Sequence, residues 1–203
     1  MIEQLSEAAG RDVSRETYEK IEAYVALLEE ESARQNLVSA STINDMWSRH
    51  IIDSAQLVRF EPDAGASWID LGSGAGLPGI VIACLVEGPV VLAEPRALRS
   101  DFLHRVVEQL RLGATVIRAK AEKVTGHYDV ITARAVAPLS RLLEISHHLS
   151  TGMTTWILPK GRSAAAELAE ARRTWQGVFH VERSVTDSES RIVVGTGVRA
   201  KAS

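Results

Sequence analysis

Ser67-Trp68-Ile69-Asp70-Leu71-Gly72-Ser73-Gly74-Ala75-Gly76-Leu77-Pro78-Gly79 is the stretch that decides how this chain is read. A short apolar run, Trp68–Ile69, leads through Asp70 and Leu71 into a turn carrying Gly72, Gly74, Gly76 and Gly79, and the apolar segment 80–86 follows. This is the pattern of a buried strand, a glycine-rich turn and a helix start. Glycine is required where the backbone takes positive φ or where a ligand lies against bare main chain. The N–H groups at the helix start are then expected to face that ligand. Pro78 suits the first turn, where a missing N–H costs little.

The stretch fits two ligand patterns. Gly74-Ala-Gly76-Leu-Pro-Gly79 matches G-x-G-x-x-G, the dinucleotide fingerprint. Asp70-Leu-Gly72-Ser-Gly74-Ala-Gly76 matches the acidic-x-G-x-G-x-G loop that binds S-adenosylmethionine (SAM), with Asp70 near the methionine end of the ligand. Glu94 ends the next apolar run, 90–93, where a carboxylate accepts both hydroxyls of an adenosine ribose. NAD and SAM share that ribose, so Glu94 does not separate them.

Working outward, strands and helices alternate. Strands are expected at 115–117, 128–133 and 154–158, with helices at 99–112 (closed by Gly113), 139–149 and 164–175. Two closing strands, 177–183 and 191–197, precede a frayed tail, 199–203. Before the glycine turn, helices are expected at 14–35, capped by Ser14 and Thr17, and at 42–57. The reading is an α/β, mostly parallel, doubly wound seven-stranded sheet. An N-terminal helical cap, 1–62, joins a core, 63–203, in one compact unit. Arg49, His50 and Asp53 fall within one turn and share a face. That face either closes over the ligand pocket or holds a packed histidine bonded to the aspartate.

Composition narrows the function. The 203 residues carry a net charge of −3, which argues against strong nonspecific binding to nucleic acid. The charge is uneven: residues 1–31 hold nine acidic and three basic side chains, and residues 96–123 hold three acidic and seven basic ones. The single cysteine, Cys84, and six scattered histidines offer no metal-ligand spacing, so no metal is expected. No membrane span or signal segment is read, and the chain is expected to be cytoplasmic.

Several stretches together resemble one family, the bacterial 16S ribosomal RNA guanine-N7 methyltransferases (RsmG, also called glucose-inhibited division protein B, GidB). They are Asn36-Leu37, Trp47-Ser-Arg49-His50-Ile-Ile-Asp53-Ser54, Asp70–Gly79, Glu94-Pro-Arg96-Ala-Leu-Arg99-Ser-Asp-Phe102-Leu103, Ala133-Arg134-Ala135-Val-Ala-Pro-Leu139 and Lys160-Gly161. The resemblance implies a Rossmann-like SAM-dependent fold. It also implies methyl transfer to N7 of a guanine in the 530 loop of 16S rRNA (G527), within the 30S subunit or its assembly intermediate, with S-adenosyl-L-homocysteine as the other product. It places cofactor contacts at Gly72, Leu77, Ala121, Glu122 and Arg134, beside the motif residues Asp70, Gly74, Gly76 and Glu94. Arg96, Arg99, Lys160 and Arg162 are the candidates for RNA contact. No residue is expected to act as a general acid or base, because guanine N7 carries no proton. A small-molecule SAM-dependent methyltransferase is the alternative.

Overall fold

The computed structural model describes residues 1–35, 37–38 and 45–202. Helices α1 (Ile2–Ala9) and α2 (Arg15–Gln35) come first. The expected capping is present: Ser14 Oγ accepts from the Thr17 N–H at 3.0 Å. Helix α1 lies outside the sequence expectation, and it ends at Gly10 in the left-handed conformation (φ 65°). Asn36 and residues 42–44 of the second expected helix lie outside the described residues. The rest of that helix is not one regular α-helix. A π-helical turn, Met46–Ile51, runs into α3 (Ile52–Ala55) and then a 3-10 segment, Gln56–Phe60. Such π turns recur at functional sites.

The sheet holds β1 (Trp68–Leu71), β2 (Val90–Ala93), β3 (Ala114–Ile117), β4 (Val130–Ala133), β5 (Thr155–Pro159), β6 (Trp175–Arg183) and β7 (Arg191–Ala200). Their spatial order is β3-β2-β1-β4-β5-β7-β6. The first five run parallel, and β7 pairs antiparallel with both β5 and β6. Helices α4 (Gly79–Leu85), α5 (Ala97–Gln109), α6 (Leu139–Ser146) and α7 (Ala164–Ala171) make the connections. The chain moves from β1 to β2 and β3 on one side, then returns to place β4 on the other. The reversal point between β1 and β4 is where an open α/β sheet opens a crevice beyond its strand ends.

The period of two along each strand divides the core into two layers. Trp68, Val130 and Ile157 join α2, α4 and α5 on one face, whereas Ile69, Leu71, Ile131, Trp156 and Leu158 join α6 and α7 on the other. Burying each such side chain stabilises by about 1.5–3 kcal/mol. Tyr24 and Leu28 of α2 belong to the same apolar cluster as Trp68 and Ile80, so the N-terminal helices share one core with the sheet.

Three local expectations are corrected. Gly113 does not cap the helix before it: α5 ends at Gln109, and Arg111 takes the left-handed turn (φ 50°) while its N–H reaches the Glu108 carbonyl. Trp175 begins β6 instead of ending a helix, because its pairing with Ala200 seats the indole in the core. The tail is not frayed at 199–201: Arg199 and Ala200 pair with β6, and the Lys201 N–H reaches the Thr174 carbonyl at 2.8 Å.

Candidate functional site

The glycine turn follows β1 at the reversal point. Gly72, Gly74 and Gly76 all have positive φ (68°, 59° and 101°), so their freedom is needed for conformation. Gly79 is needed for a different reason. A Cβ there would lie 2.5 Å from Asp70 Oδ2 and would overlap Leu92. This closeness lets the Gly79 N–H donate to Asp70 Oδ2 at 3.1 Å. The expectation that the first N–H of the helix faces a ligand is therefore corrected: the strand's own aspartate caps it.

Asp70 is 1% exposed, and its Oδ1 has no hydrogen-bond partner among the described residues. Burial pushes its carboxyl up to about 7. Glu94, 3% exposed, clamps the turn from the end of β2: Oε2 accepts from the Gly74 N–H at 2.9 Å, and Oε1 from the Arg96 N–H at 2.8 Å. Each carboxylate oxygen has a second lone pair, so the clamp leaves capacity for two hydroxyl donors. From α2, the Tyr24 hydroxyl donates to the Ala75 carbonyl at 2.9 Å, and burial raises that phenol far above its ordinary range.

The segment after β4 lies across the turn. Val136 covers Gly72, where a Cβ would meet Val136 Cγ2 at 2.6 Å. Ala135 is held at φ 56°, a strained conformation for a residue with a side chain. Arg134 Nη1 donates to His50 Nδ1 at 3.1 Å. Arginine only donates, so Nδ1 is the unprotonated nitrogen. Burial and the adjacent guanidinium hold His50 below its ordinary pKa, which agrees with a neutral ring. His50 thus bonds Arg134, and Asp53 turns elsewhere. Arg49 is exposed and pairs with Asp45 at 3.7 Å.

The remaining candidates are dispersed. Ala121 and Glu122 form a 3-10 turn after β3, and Glu122 reaches Arg141 of α6 at 4.0 Å. Leu77 is buried in the core cluster that holds Tyr24 and Ile80. Arg96 is exposed; Arg99 is half-buried, with Nη1 3.6 Å from where a Gly74 Cβ would stand. Arg162 is 76% exposed and pairs with Glu189 at 3.0 Å. Lys160 departs from its reading as an outward cation. Its side chain is 7% exposed, and Nζ donates to the Ala137 carbonyl at 2.7 Å and pairs with Glu167 at 3.2 Å. It braces the segment after β4 from within.

A cavity of about 480 Å³ opens beyond β4, β5 and β7, lined by Asp53, Arg134, Val136, Lys160, Glu167 and Arg191 among others. Sequence reasoning had assigned no role to Arg191 or to the loop at 184–190. Among the described residues, no group of three His, Cys, Asp or Glu side chains is placed to hold a metal ion. No helix there is long and apolar enough to cross a membrane.

The donor set fits SAM. Glu94 keeps lone pairs free for ribose hydroxyls, Asp70 Oδ1 is unpartnered among the described residues, and the Arg134 guanidinium stands after β4, a set compatible with a ribose and an amino-acid end. Among solved structures, MtNAS in complex with S-adenosylmethionine matches with a TM-score of 0.60, covering 87% of this chain and 75% of that one at 19% identity. A SAM-dependent methyltransferase from Aquifex aeolicus matches at 0.58, covering 75% and 92% at 13% identity. The fold is the Rossmann-like one that these structures share.

The family model for rRNA small subunit methyltransferase G (GidB) matches residues 17–193. Proteins named ribosomal RNA small subunit methyltransferase G are similar along most of their length. The one from Sphingopyxis alaskensis is 51% identical over 187 residues, covering 91% of this chain and 80% of the relative. That from Zymomonas mobilis is 45% identical over 198 residues, covering 93% and 90%. The chain belongs to the rRNA small subunit methyltransferase G family.

Proposed function

We propose that this protein methylates N7 of a guanine in the 530 loop of 16S rRNA (G527), acting in the cytoplasm on the 30S subunit or its assembly intermediate. The observation that carries the reading is the crevice at the β1–β4 reversal, where the glycine turn, Glu94 and Arg134 converge beside a charged cavity. Gly72, Gly74, Gly76 and Leu77 cradle SAM, Glu94 holds its ribose, and Asp70 and Arg134 face its amino-acid end. Ala121 and Glu122 flank the adenine side. SAM bound there would supply a methyl group on a sulfonium, a leaving group already activated for transfer to the N7 lone pair.

Guanine N7 needs no base, and the chain's own contribution is alignment of the reacting atoms, which is worth several kcal/mol. Residues 1–62 act as a cap, with Tyr24 and His50 bracing the turn and Arg134 from above. Arg96, Arg99 and Arg162 are the phosphate contacts, and Lys160 supports the cavity wall. N7 must be presented free of stacking, as structured RNA loops allow. The test is methyl transfer from radiolabelled SAM into 30S particles lacking the modification, with the labelled nucleoside identified by mass spectrometry. N7-methylguanosine in the 530 loop is expected. SAM binding without label in RNA would overturn the reading.

A further inference from the structure

The cavity beyond β4, β5 and β7 contains several charged side chains, most already engaged. Glu167 accepts from Ser163 Oγ on one oxygen, and from the Leu139 N–H and Lys160 Nζ on the other. Lys160 is held as described, and Arg191 Nη1 donates to the carbonyls of Ser188 and Ser190. Asp53 differs. Its Oδ1 accepts from Gln56 Nε2 at 2.6 Å, Thr186 Oγ1 at 2.8 Å and Ser184 Oγ at 3.1 Å. Gln56 is itself locked: its Oε1 accepts from the Val185 N–H at 2.8 Å. Three donors on one oxygen fix the carboxylate's orientation. Its Oδ2 accepts nothing from any described residue, and Asp53 lines the cavity.

We propose that this cavity receives the target guanine and that Asp53 Oδ2 reads its Watson–Crick edge, accepting from N1–H and from the N2 amino group. The inference rests on the function proposed above and adds the base-recognition residue. Arg134 and Val136 belong both to the cavity wall and to the segment over the glycine turn, so the cavity adjoins the cofactor cradle. Guanine's N7 and Watson–Crick edges lie on opposite sides of the ring. A base held by Asp53 at one edge can turn N7 toward the crevice. Adenine would present its N1 lone pair to the carboxylate and be rejected. Methylation at N7 also makes the guanine cationic and its N1–H more acidic. The Asp53 contact therefore strengthens as the methyl group transfers, which is where binding accelerates a reaction.

The test uses the full chain and 30S particles reconstituted from 16S rRNA carrying guanine or inosine at the target. Inosine keeps N7 and N1–H but lacks the N2 amino group. The wild-type protein is expected to favour guanine by about tenfold in kcat/KM, the effect of one charge-assisted hydrogen bond. Asp53→Asn is expected to lower kcat/KM on guanine by about 100-fold. It should leave the SAM Kd within about twofold of wild type and erase the preference over inosine. A purely structural Asp53 would alter melting and SAM affinity without changing the guanine-to-inosine ratio. Equal use of guanine and inosine by the wild type overturns the inference even if the variant fails to fold. So does an unchanged rate in Asp53→Asn. Absence of any N7 label from wild type overturns the function reading as well, which separates the two failures.

Discussion

The glycine turn and the cavity beyond β4, β5 and β7 adjoin each other but are built on opposite plans. In the turn, neighbouring backbone is folded onto itself and its N–H groups are bonded internally: Gly72 and Ser73 to the Ala93 carbonyl, Gly74 to Glu94, Gly76 to Ser73 and Gly79 to Asp70. In the cavity, side chains from the π-turn region, two parallel strands and the C-terminal hairpin meet from far along the chain, and one carboxylate oxygen stays open. The first is a cradle made by the turn itself and the end of the adjacent strand β2. The second is an assembled pocket whose shape depends on long-range packing. A SAM-dependent enzyme acting on RNA needs both: a fixed seat for a constant cofactor and a selective one for the base.

The comparison predicts that damage to the turn is the most severe. In Gly76→Ala, the new Cβ would lie 2.7 Å from Ile80 Cγ1 and 3.0 Å from the Tyr24 hydroxyl, at φ 101°. Strain and overlap together are expected to cost about 4 kcal/mol in urea unfolding. Gly74→Ala has a more permissive φ of 59° and only ordinary contacts, and is expected to cost about 1 kcal/mol. Equal losses in the two variants would show that conformation alone, not the Tyr24 and Ile80 packing, sets the cradle.

Glu94→Gln comes next. The amide cannot accept from both the Gly74 and Arg96 N–H groups through two oxygens, so one arm of the clamp is lost. SAM affinity measured by calorimetry is expected to fall about 100-fold, with the cavity side unaffected. An unchanged affinity would remove Glu94 from the cofactor seat.

These two plans explain what could be read in advance. The turn is contiguous, so Asp70, Gly72, Gly74 and Gly76 declare it within a few positions, and strand–helix alternation declares the sheet. The role of Gly79 was less legible, since G-x-G-x-x-G does not distinguish a glycine beside a ligand from one beside Asp70 and Leu92. Lys160 looked like an outward cation because sequence does not show that Glu167, in the first turn of α7, draws its ammonium inward. Asp53 stood out within Arg-His-x-x-Asp-Ser, but its partners Ser184 and Thr186 lie more than a hundred residues away, and nothing local announces them. The strand at 199–200 was missed because its pairing partners, Trp175 and Gln176, fell at and just after the end of an expected helix, ahead of the strand read at 177–183.

On the cavity side, Lys160→Met leaves the Ala137 carbonyl unpaired and Glu167 without its cation. A loss of about 2 kcal/mol in unfolding free energy is expected, together with slower methyl transfer as the segment after β4 loosens. Arg162→Ala, at an exposed pair, should leave unfolding unchanged within error and act only on RNA affinity and its salt dependence. Similar melting of both variants would mean Lys160 is no brace.

The subtlest distinction between the two regions is electrostatic. Asp70 has an ordinary carboxyl pKa of 3.8, and burial raises it to about 7 in the folded protein. Between about pH 4 and 7 the unfolded chain has released this proton while the folded chain keeps it, so raising the pH favours unfolding. The loss is expected to reach about 1.4 kcal/mol per pH unit in that window and to level off above it. Asp70→Asn should flatten this component of the pH dependence without disturbing the cavity. The same burial gives SAM a pH signature: an ammonium set against Asp70 requires the ionised carboxylate, so SAM affinity should rise as pH passes upward through about 7. Asp70→Asn should lose that rise. Urea unfolding and calorimetry on both proteins from about pH 5 to 8 measure the two effects together. If the wild-type affinity is flat across that range while its stability falls, Asp70 serves the fold by capping α4 at Gly79 and does not face the cofactor's charge.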